Sequence, residues 1–389
     1  MTARLAAEEL GITLATLYAY VSRGMIRSEA AGGRSRRYRV EDVRRLKERK
    51  ERRRDPDRVV EGALHWGTPV MESAITLITD DGVYYRGRDV VALAARSTIE
   101  EVAALIWTGD ASRGDELFPS EPPGLPSRIR AALGGGLPPI EAFQVLLAWA
   151  GAEDPAAYDL RPAAVARTGA RILRLMANVV AGEEARGIAE TLARGWRPDD
   201  PETRALLDSA LVLCADHELP VSTFVARCVA SSEATPYAVV VAGLSAMGGV
   251  RHGGQVELVE DFLQEAEDIG DARAAISGRL RRGERIPGFG HSLYPGGDPR
   301  GAELLRLTSA AYSDSSAGAL SVAGEVLDLI GERPTVDFGL VTLARALGLP
   351  PGAAVTLFAL GRTVGWIGHA IEQYEGGSLI RPRARYVGS

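Results

Sequence analysis

Lysine is nearly missing from this 389-residue chain. It stands only at Lys47 and Lys50, and arginine supplies every other cation among the 45 Lys and Arg. Any phosphate contact beyond residue 50 therefore has to come from arginine or from backbone N–H groups. Cysteine is scarce too, with Cys214 and Cys228 alone. That excludes a disulfide framework. Both thiols lie in apolar, helix-like surroundings, so two buried free thiols and a reducing, cytoplasmic setting are expected. No apolar run approaches the roughly 20 residues that span a bilayer. No hydrophobic signal core follows Met1-Thr2-Ala3-Arg4, and no membrane partner is expected.

What is present is ordinary for a globular chain, with 46% hydrophobic and 25% charged residues, over a length that suits two or three domains. The net charge of -6 hides an asymmetry. Residues 1–54 hold fifteen Lys/Arg against seven Asp/Glu, about +8, which leaves about -14 for the rest. A basic head on an acidic body points the head towards a polyanion. A solvated charged helix is the plainer alternative.

The head reads as helix, turn, helix. Leu5, Ala6, Leu10 and Ile12 form one apolar face, and Gly11 breaks it. Thr13 can cap a second helix carrying Leu14, Leu17, Tyr18 and Val21, which Gly24 ends. Gly32-Gly33 turns the chain into a basic wing, Arg34 to Arg39, and a third helix starts near Glu41. Asp55-Pro56 and the shift in composition close the segment. The strings GITLATLYAYVSRGMI and GRSRRYRVEDVRRL resemble a MerR-type winged helix-turn-helix. That resemblance leaves DNA open as a partner of residues 1–54; a dimerisation module or a relic is the alternative.

The body, 57–389, alternates helical apolar periodicity with Gly/Pro breaks and predicts a mostly α fold. Helices are expected over 98–107, 138–151, 164–181, 203–215, 222–232, 236–248, 255–267, 301–313, 319–330, 338–347 and 352–374. The clearest strand candidate is Gly82 to Gly87, and loops are expected at Pro122 to Pro126, 133–139 and Pro198 to Pro201. No repeat occurs, and no GxGxxG lies between a strand and a helix.

Of the five histidines, His65 lies upstream and His217, His252, His291 and His369 lie in the C-terminal half. Glycines flank several of them, which lets backbone approach a ligand closely. No HExxH, Cys pair or His-x-x-His favours zinc, and no GxSxG favours a serine triad. The ordered strings DHE...STF.AR..AS, HGG..E, GFGH......DPR, VDF.......ALGLP and GR..GW..H..EQ......IRPRA.Y.G resemble the citrate synthase family. The segment DDGVYYRGRDVVALAARSTIEEVAALIWTGD does so as well. The likeness covers nearly all of 57–389. It implies a multihelical citrate synthase-like fold, with a large domain over 57–254 and 345–389 and a small domain over 255–344 that carries part of the active site.

The reaction implied is acyl transfer with carbon–carbon bond formation, in which acetyl-CoA condenses with oxaloacetate to give citrate. By resemblance, Asp337 takes the methyl proton and His252 donates to the enolate oxygen. His291 polarises the ketone, while His217 and Arg300, Arg362 and Arg381 hold the oxo acid. Guanidinium matches carboxylate by a two-point fork. In the family, the residue at Arg381 enters the partner subunit's site, which implies a homodimer or a higher oligomer of dimers; Arg383 lies close enough to compete for the assignment. Ile286, Pro287, Gly288, Phe289 and Gly290 resemble the adenine-recognition loop, with Arg282 and Arg285 as phosphate candidates. No cofactor is permanently bound; the coenzyme A thioester is a co-substrate. His369 and Glu372 are expected to buttress the Arg362 helix. Plainer readings stand beside these: core histidines, an N-capping Asp337, and surface charges at Arg381 and Arg383.

The chain also departs from the family pattern. Gln255-Val256-Glu257 replaces Ala-Asn-Glu after HGG, Leu219-Pro220-Val221 replaces the usual residue and Asn-Ala after DHE, and Ser292-Leu293-Tyr294-Pro295 follows GFGH without a basic residue. Pro220 removes a side-chain amide and a backbone donor. These changes keep three alternatives open: a 2-methylcitrate synthase, a citryl-CoA lyase, or a ligand-sensing DNA-binding regulator with weak turnover.

Overall fold

The structure, a computed structural model, describes residues 2–10, 12–22, 26–30, 36–38, 71–79, 82–119, 136–384 and 386–388. Contacts divide it into two compact units, Met1–Glu72 and Ser73–Ser389.

In the first unit, α1 (Ala3–Glu9) and α2 (Leu14–Ser22) precede an antiparallel pair, β1 (Ser28–Ala30) and β2 (Arg36–Tyr38). The Thr13 hydroxyl accepts the Thr16 amide at 3.3 Å and so caps α2 as expected. A small core gathers Ala6, Ala7, Leu10, Leu17, Ile26 and Tyr38. The apolar face differs from the one read in the sequence, because Leu5, Leu14 and Tyr18 are exposed. Ala6 and Ala7 with Leu10 and Leu17 fill the contact between α1 and α2, and Leu5, Leu14 and Tyr18 are left outside. The wing residues Arg34, Ser35 and Arg39, the third helix, the Asp55-Pro56 boundary and His65 lie outside the described residues.

The second unit opens with a three-stranded antiparallel sheet, β3 (Thr76–Thr79), β4 (Gly82–Tyr85) and β5 (Arg88–Asp89). Helices follow: α3 (Val90–Ala94), α4 (Ile99–Thr108), α5 (Gly114–Leu117), α6 (Pro139–Glu153), α7 (Pro162–Ala181), α8 (Ile188–Trp196), α9 (Thr203–Cys214), α10 (Val221–Ala230) and α11 (Pro236–Met247). The chain continues through α12 (Gly254–Ile269), α13 (Ala272–Arg281), α14 (Pro299–Ala311), α15 (Ser313–Ile330), α16 (Val336–Ala346) and α17 (Ala353–Gly376). Each helical stretch read from periodicity has its helix, within a few residues at either end. The short α3, α5 and α8 and the α13 helix were not anticipated. On α13 only Ala275 and Ile276 are buried, too little to print an apolar stripe. The Pro198 to Pro201 segment is irregular as expected, and Pro122 to Pro126 lies outside the described residues.

The axis of this unit is α17, against which α4, α6, α7, α9, α10, α11, α12 and α16 all pack. At 24 residues it is long and apolar enough to cross a bilayer, yet its apolar window is wholly buried in the protein. This corrects the reading that no apolar run reaches such a length. Gly361, Arg362, Gly365 and His369 punctuate the stretch and disguise it. Glycine inside a helix costs roughly 1 kcal/mol against alanine. Gly365 is tolerated because a Cβ there would fall 2.2 Å from the Asp216 carboxylate and 2.6 Å from the Ala215 carbonyl. The backbone of the 215–216 loop thus lies directly on the helix, and its Ala215 carbonyl accepts the Gly365 amide at 2.9 Å.

Candidate active site

His217 sits in the loop between α9 and α10. The buried Tyr85, at the end of β4, grips that loop: its hydroxyl donates to the Asp216 carbonyl at 3.0 Å and accepts the Asp216 amide at 3.1 Å. Burial raises the Tyr85 phenol far above its usual range, so it stays protonated. The His217 Nε2 lies 2.6 Å from the Tyr294 hydroxyl. The His217 and His291 rings meet edge-on with centroids 5.5 Å apart, and His291 lies 5.0 Å from the Tyr294 ring. Burial, then the positive charges of Arg300 and Arg362 and the neighbouring His291 and His252, push His217 well below its ordinary value. The same interactions place both arginines and the other two imidazoles within electrostatic reach of His217.

His252 occupies the glycine-rich turn between α11 and α12. Its Nε2 lies 2.7 Å from the Ser222 hydroxyl, and its ring meets Phe358 edge-on at 5.8 Å. Burial, with the Arg362 charge adding to it, lowers His252 to about 4. His291 follows the turn at Gly290, and its Nδ1 accepts the Leu293 amide at 3.2 Å. A neutral imidazole that accepts at Nδ1 carries its proton on Nε2. Burial and the Arg300 charge lower His291 too. At neutral pH the three rings are therefore uncharged, and His291 offers an Nε2–H donor.

The DPR string is a helix start. Asp298 caps α14, Pro299 occupies its first turn, and the buried Arg300 follows. Arg300 forks onto Asp298, Nε to Oδ1 at 3.0 Å and Nη2 to Oδ2 at 2.8 Å, and its guanidinium stands 5.4 Å over the Tyr294 ring. Asp298 Oδ2 also accepts the Val336 amide at 3.1 Å, which ties the start of α14 to the start of α16. Asp337 lies in the first turn of α16, beyond the N-cap position held by Thr335, so the capping alternative does not hold. Burial raises the Asp337 carboxyl, and the Arg300 charge and the Thr335 hydroxyl at 3.1 Å only partly offset it. That combination suits a base.

The Ile286 to Gly290 loop runs beside the segment that leads to Asp337. Thr335 donates its amide to the Gly288 carbonyl at 2.8 Å, and Gly290 donates to the Arg333 carbonyl at 3.0 Å. Phe289 packs on Phe338 with centroids 4.7 Å apart. Gly288, at φ +80°, has a conformation and a space that admit no side chain, since a Cβ would lie 2.7 Å from Val259. Arg362 projects from α17, donates to the Cys214 carbonyl at 3.1 Å and lies 5.1 Å over the Phe358 ring.

A cluster of a buried carboxyl, neutral imidazoles and two buried guanidiniums has the composition a condensing enzyme needs, and the chain's likeness to known proteins agrees. Residues 63–383 match the family described as "Citrate synthase, C-terminal domain". The chain belongs to the citrate synthase family. Residues 1–53 match "MerR HTH family regulatory protein". Over 352 residues the chain is 30% identical to "Citrate synthase 2" of Bacillus subtilis, covering 83% of this chain and 94% of that protein. It is 29% identical over 372 residues to a "2-methylcitrate synthase" of Shewanella oneidensis, covering 84% and 95%. Among solved structures, citrate synthase from Thermotoga maritima superposes with a TM-score of 0.70 at 26% identity, over 83% of this chain and 94% of that one.

The residues that the citrate synthase resemblance singled out are not all in the cluster. His217, His252, His291, Arg300, Asp337 and Arg362 converge. Arg381 is exposed on the extended C-terminal tail. That tail is fixed where the Ile380 amide donates to Ser231 Oγ at 3.1 Å, at the far end of α10 from Ser222. At 1.5 Å per residue the two serines lie about 13 Å apart along the helix. Arg383 is exposed on the same tail. Arg282 is exposed and engaged by Glu284 at 2.5 Å and Glu265 at 3.5 Å, and Arg285 is exposed beside it. Ile286, Pro287, Gly288 and Phe289 are buried, and Gly290 is exposed. Sequence reasoning assigned no role to Tyr85, Ser222, Tyr294, Asp298 or Phe358. All but Phe358 stand within the strings that carried the resemblance.

Proposed function

We propose that this citrate synthase-type enzyme condenses acetyl-CoA with oxaloacetate. The observation that supports it best is the meeting of Arg300, Arg362 and neutral His217, His252 and His291 in one buried place, with the proton of His291 on Nε2. Asp337 removes a proton from the thioester methyl group. His252, held by Ser222, donates to the oxygen on which enolate charge develops. The enolate carbon attacks the ketone carbon, and the new alkoxide takes its proton from His291 Nε2. Arg300 and Arg362 hold the substrate carboxylates. Water then cleaves the thioester and releases coenzyme A and citrate. We assign the Ile286 to Gly290 loop to the adenine and Arg285 to the phosphates, with Arg282 joining only by leaving Glu284 and Glu265.

Segment 255–344 supplies His291, Arg300 and Asp337, while His217, His252 and Arg362 come from 57–254 and 345–389. We read the first as a small domain that closes on the second and excludes water. We further propose a cytoplasmic homodimer in which Arg381 enters the partner's site. Its exposure, its distance along α10 from Ser222, and the exposed Val221 with the half-buried Phe224, Val225 and Val229 on that helix support this. Sedimentation at micromolar concentration tests it.

Thiol release with oxaloacetate and either acetyl-CoA or propionyl-CoA tests the reaction and its acyl preference. A folded protein that releases no thiol, unchanged by Asp337→Asn, overturns the reading. A higher kcat/KM with propionyl-CoA favours the 2-methylcitrate alternative, which the comparable identity to both kinds of relative keeps in view. The match of residues 1–53 and their charge of about +8 favour a second role, in DNA contact. Salt-dependent binding to a specific duplex, altered by oxaloacetate, supports it; weak binding blind to sequence opposes it.

A further inference from the structure

Beneath the substrate cluster lies a buried polar chain that the reaction does not use. Asp216, next to His217, is fully buried, as is His369 on α17, and Arg227 on α10 is 5% exposed. Asp216 Oδ2 accepts the Thr76 hydroxyl at 2.5 Å and the Glu218 amide at 3.1 Å. Its Oδ1 lies 3.4 Å from His369 Nε2, and neither atom makes a hydrogen bond, so each is the other's close polar neighbour in a buried place. On the other side of the ring, Arg227 Nη1 lies 3.1 Å from His369 Nδ1. A guanidinium only donates, so Nδ1 accepts and the ring proton sits on Nε2, on the side of Asp216.

Arg227 reaches onward. Nη1 also donates to Glu372 Oε2 at 3.0 Å, and Nε donates to Gln373 Oε1 at 3.2 Å. Glu372 Oε1 takes the Ala74 amide at 2.9 Å, just before β3 and its Thr76. Gln373 Nε2 donates to the Ser378 carbonyl at 2.8 Å, and Ser231, one turn beyond Arg227, receives the Ile380 amide. A continuous set of close polar contacts thus runs from the His217 loop to the tail that bears Arg381.

We infer that His369 and Arg227 are positioning residues that set the His217 loop on one side and the course of the Arg381 tail on the other. The inference rests on the proposed oxo-acid site and goes beyond it. His369 does more than buttress the Arg362 helix: its Nε2, 3.4 Å away, is the polar group set against Asp216 Oδ1. A buried carboxylate oxygen that loses its donor pulls the adjoining loop towards other partners. Coupling through such contacts is a physical claim only if both ends respond to one change.

The test uses the full-length chain, with His369→Asn and His369→Gln. The glutamine amide reaches about as far as Nε2, and the asparagine amide only as far as Nδ1. We expect His369→Asn to raise the KM or Kd for oxaloacetate on the order of tenfold, with the KM for acetyl-CoA within about twofold, and His369→Gln to recover most of the loss. Hydrogen exchange without substrate should quicken in both 215–224 and 376–384 of His369→Asn, with 299–311 unchanged. Equal changes in both KM values, or exchange confined to one of the two segments or to neither, overturns the inference. If the wild type neither binds nor turns over oxaloacetate, the proposed function falls and the exchange result alone decides this one.

Discussion

The Asp298 carboxylate and the Val336 amide are 3.1 Å apart, and this bond ties the helix that carries Arg300 to the helix that carries Asp337, against which it also packs closely. The same carboxylate forks onto Arg300 and accepts its backbone amide at 3.0 Å. One side chain therefore sets the spacing between a substrate clamp and the base. Burial would raise the Asp298 carboxyl, and Arg300 with its hydrogen bonds more than reverses that, holding it below the usual carboxylate range.

Replacing Asp298 by Ala leaves the Arg300 guanidinium buried without its counter-ion. A broken buried pair of this kind costs about 3–5 kcal/mol. Asp298→Asn keeps an acceptor for one of the two amides and should cost less. Chemical denaturation midpoints measure both, and an Ala variant as stable as the Asn variant contradicts the assignment.

Asp337→Asn should lower kcat by about 10²- to 10⁴-fold while leaving stability unchanged or higher. The Asp337 carboxyl is raised above its ordinary 3.8. Between 3.8 and its raised value the folded state binds the extra proton. The stability this gives is complete below 3.8 and is lost as pH rises through the folded value. At neutral pH the buried carboxylate is a burden, and the neutral amide removes it. A substitution that silences turnover and raises Tm separates a catalytic carboxylate from a structural one.

Much of this was legible in the sequence, for unequal physical reasons. Helices announced themselves because α9, α10, α14 and α16 bury apolar stripes at helical spacing. DPR was readable as chemistry, and it is also an Asp cap, an N-terminal proline and the first-turn arginine of one helix. The roles of Tyr85 and Ser222 were not, because they arise from contacts across 131 and 30 residues. No periodicity encodes a hydroxyl that grips a distant backbone. Arg282 was a reasonable phosphate candidate by type; only its pairing with Glu284 and Glu265 shows that its charge is already engaged.

The histidines give the opposite pH dependence to Asp337. Burial lowers His217, His252 and His291 below 6.5, His252 to about 4. As pH falls below 6.5 the unfolded chain takes up protons that these folded rings refuse. Their stabilisation, complete above 6.5, is therefore lost on the way down towards about 4. Guanidinium midpoints should be lower at pH 5.0 than at pH 7.5. The Asp337→Asn background removes one opposing contribution, leaving those of Asp208, raised to about 7, and Glu218, and there His252→Gln should flatten the slope.

Ser222→Ala should lower kcat by roughly tenfold and leave the KM for oxaloacetate near its wild-type value. Its hydroxyl is in contact with His252 Nε2 at 2.7 Å, and no hydrogen bond links it to His217, Arg300 or Arg362. Losing it frees the ring that is asked to meet the enolate oxygen, a charge that exists only in the transition state. Steady-state kinetics with each substrate varied in turn distinguishes this from general disruption, which would move both KM values.

Two glycine-to-alanine changes should act with opposite sign. Gly324 lies on the exposed face of α15, with nothing within 4 Å of where an added methyl group would sit. Alanine there restricts the unfolded chain and improves helix propensity, which is worth about 0.5–1 kcal/mol of added stability. Gly365 is just as helical, but its methyl group would overlap the Asp216 carboxylate at 2.2 Å. The Ala215 carbonyl at 2.6 Å is backbone, so it cannot swing aside. Either α17 or the His217 loop must move, at a cost of about 1–3 kcal/mol or more. Because the displaced loop carries His217, Gly365→Ala should also weaken oxaloacetate binding, measured by calorimetry, while Gly324→Ala leaves it alone. Equal stability changes in the two variants would show that helix propensity, and not the closeness of that loop to α17, governs the position.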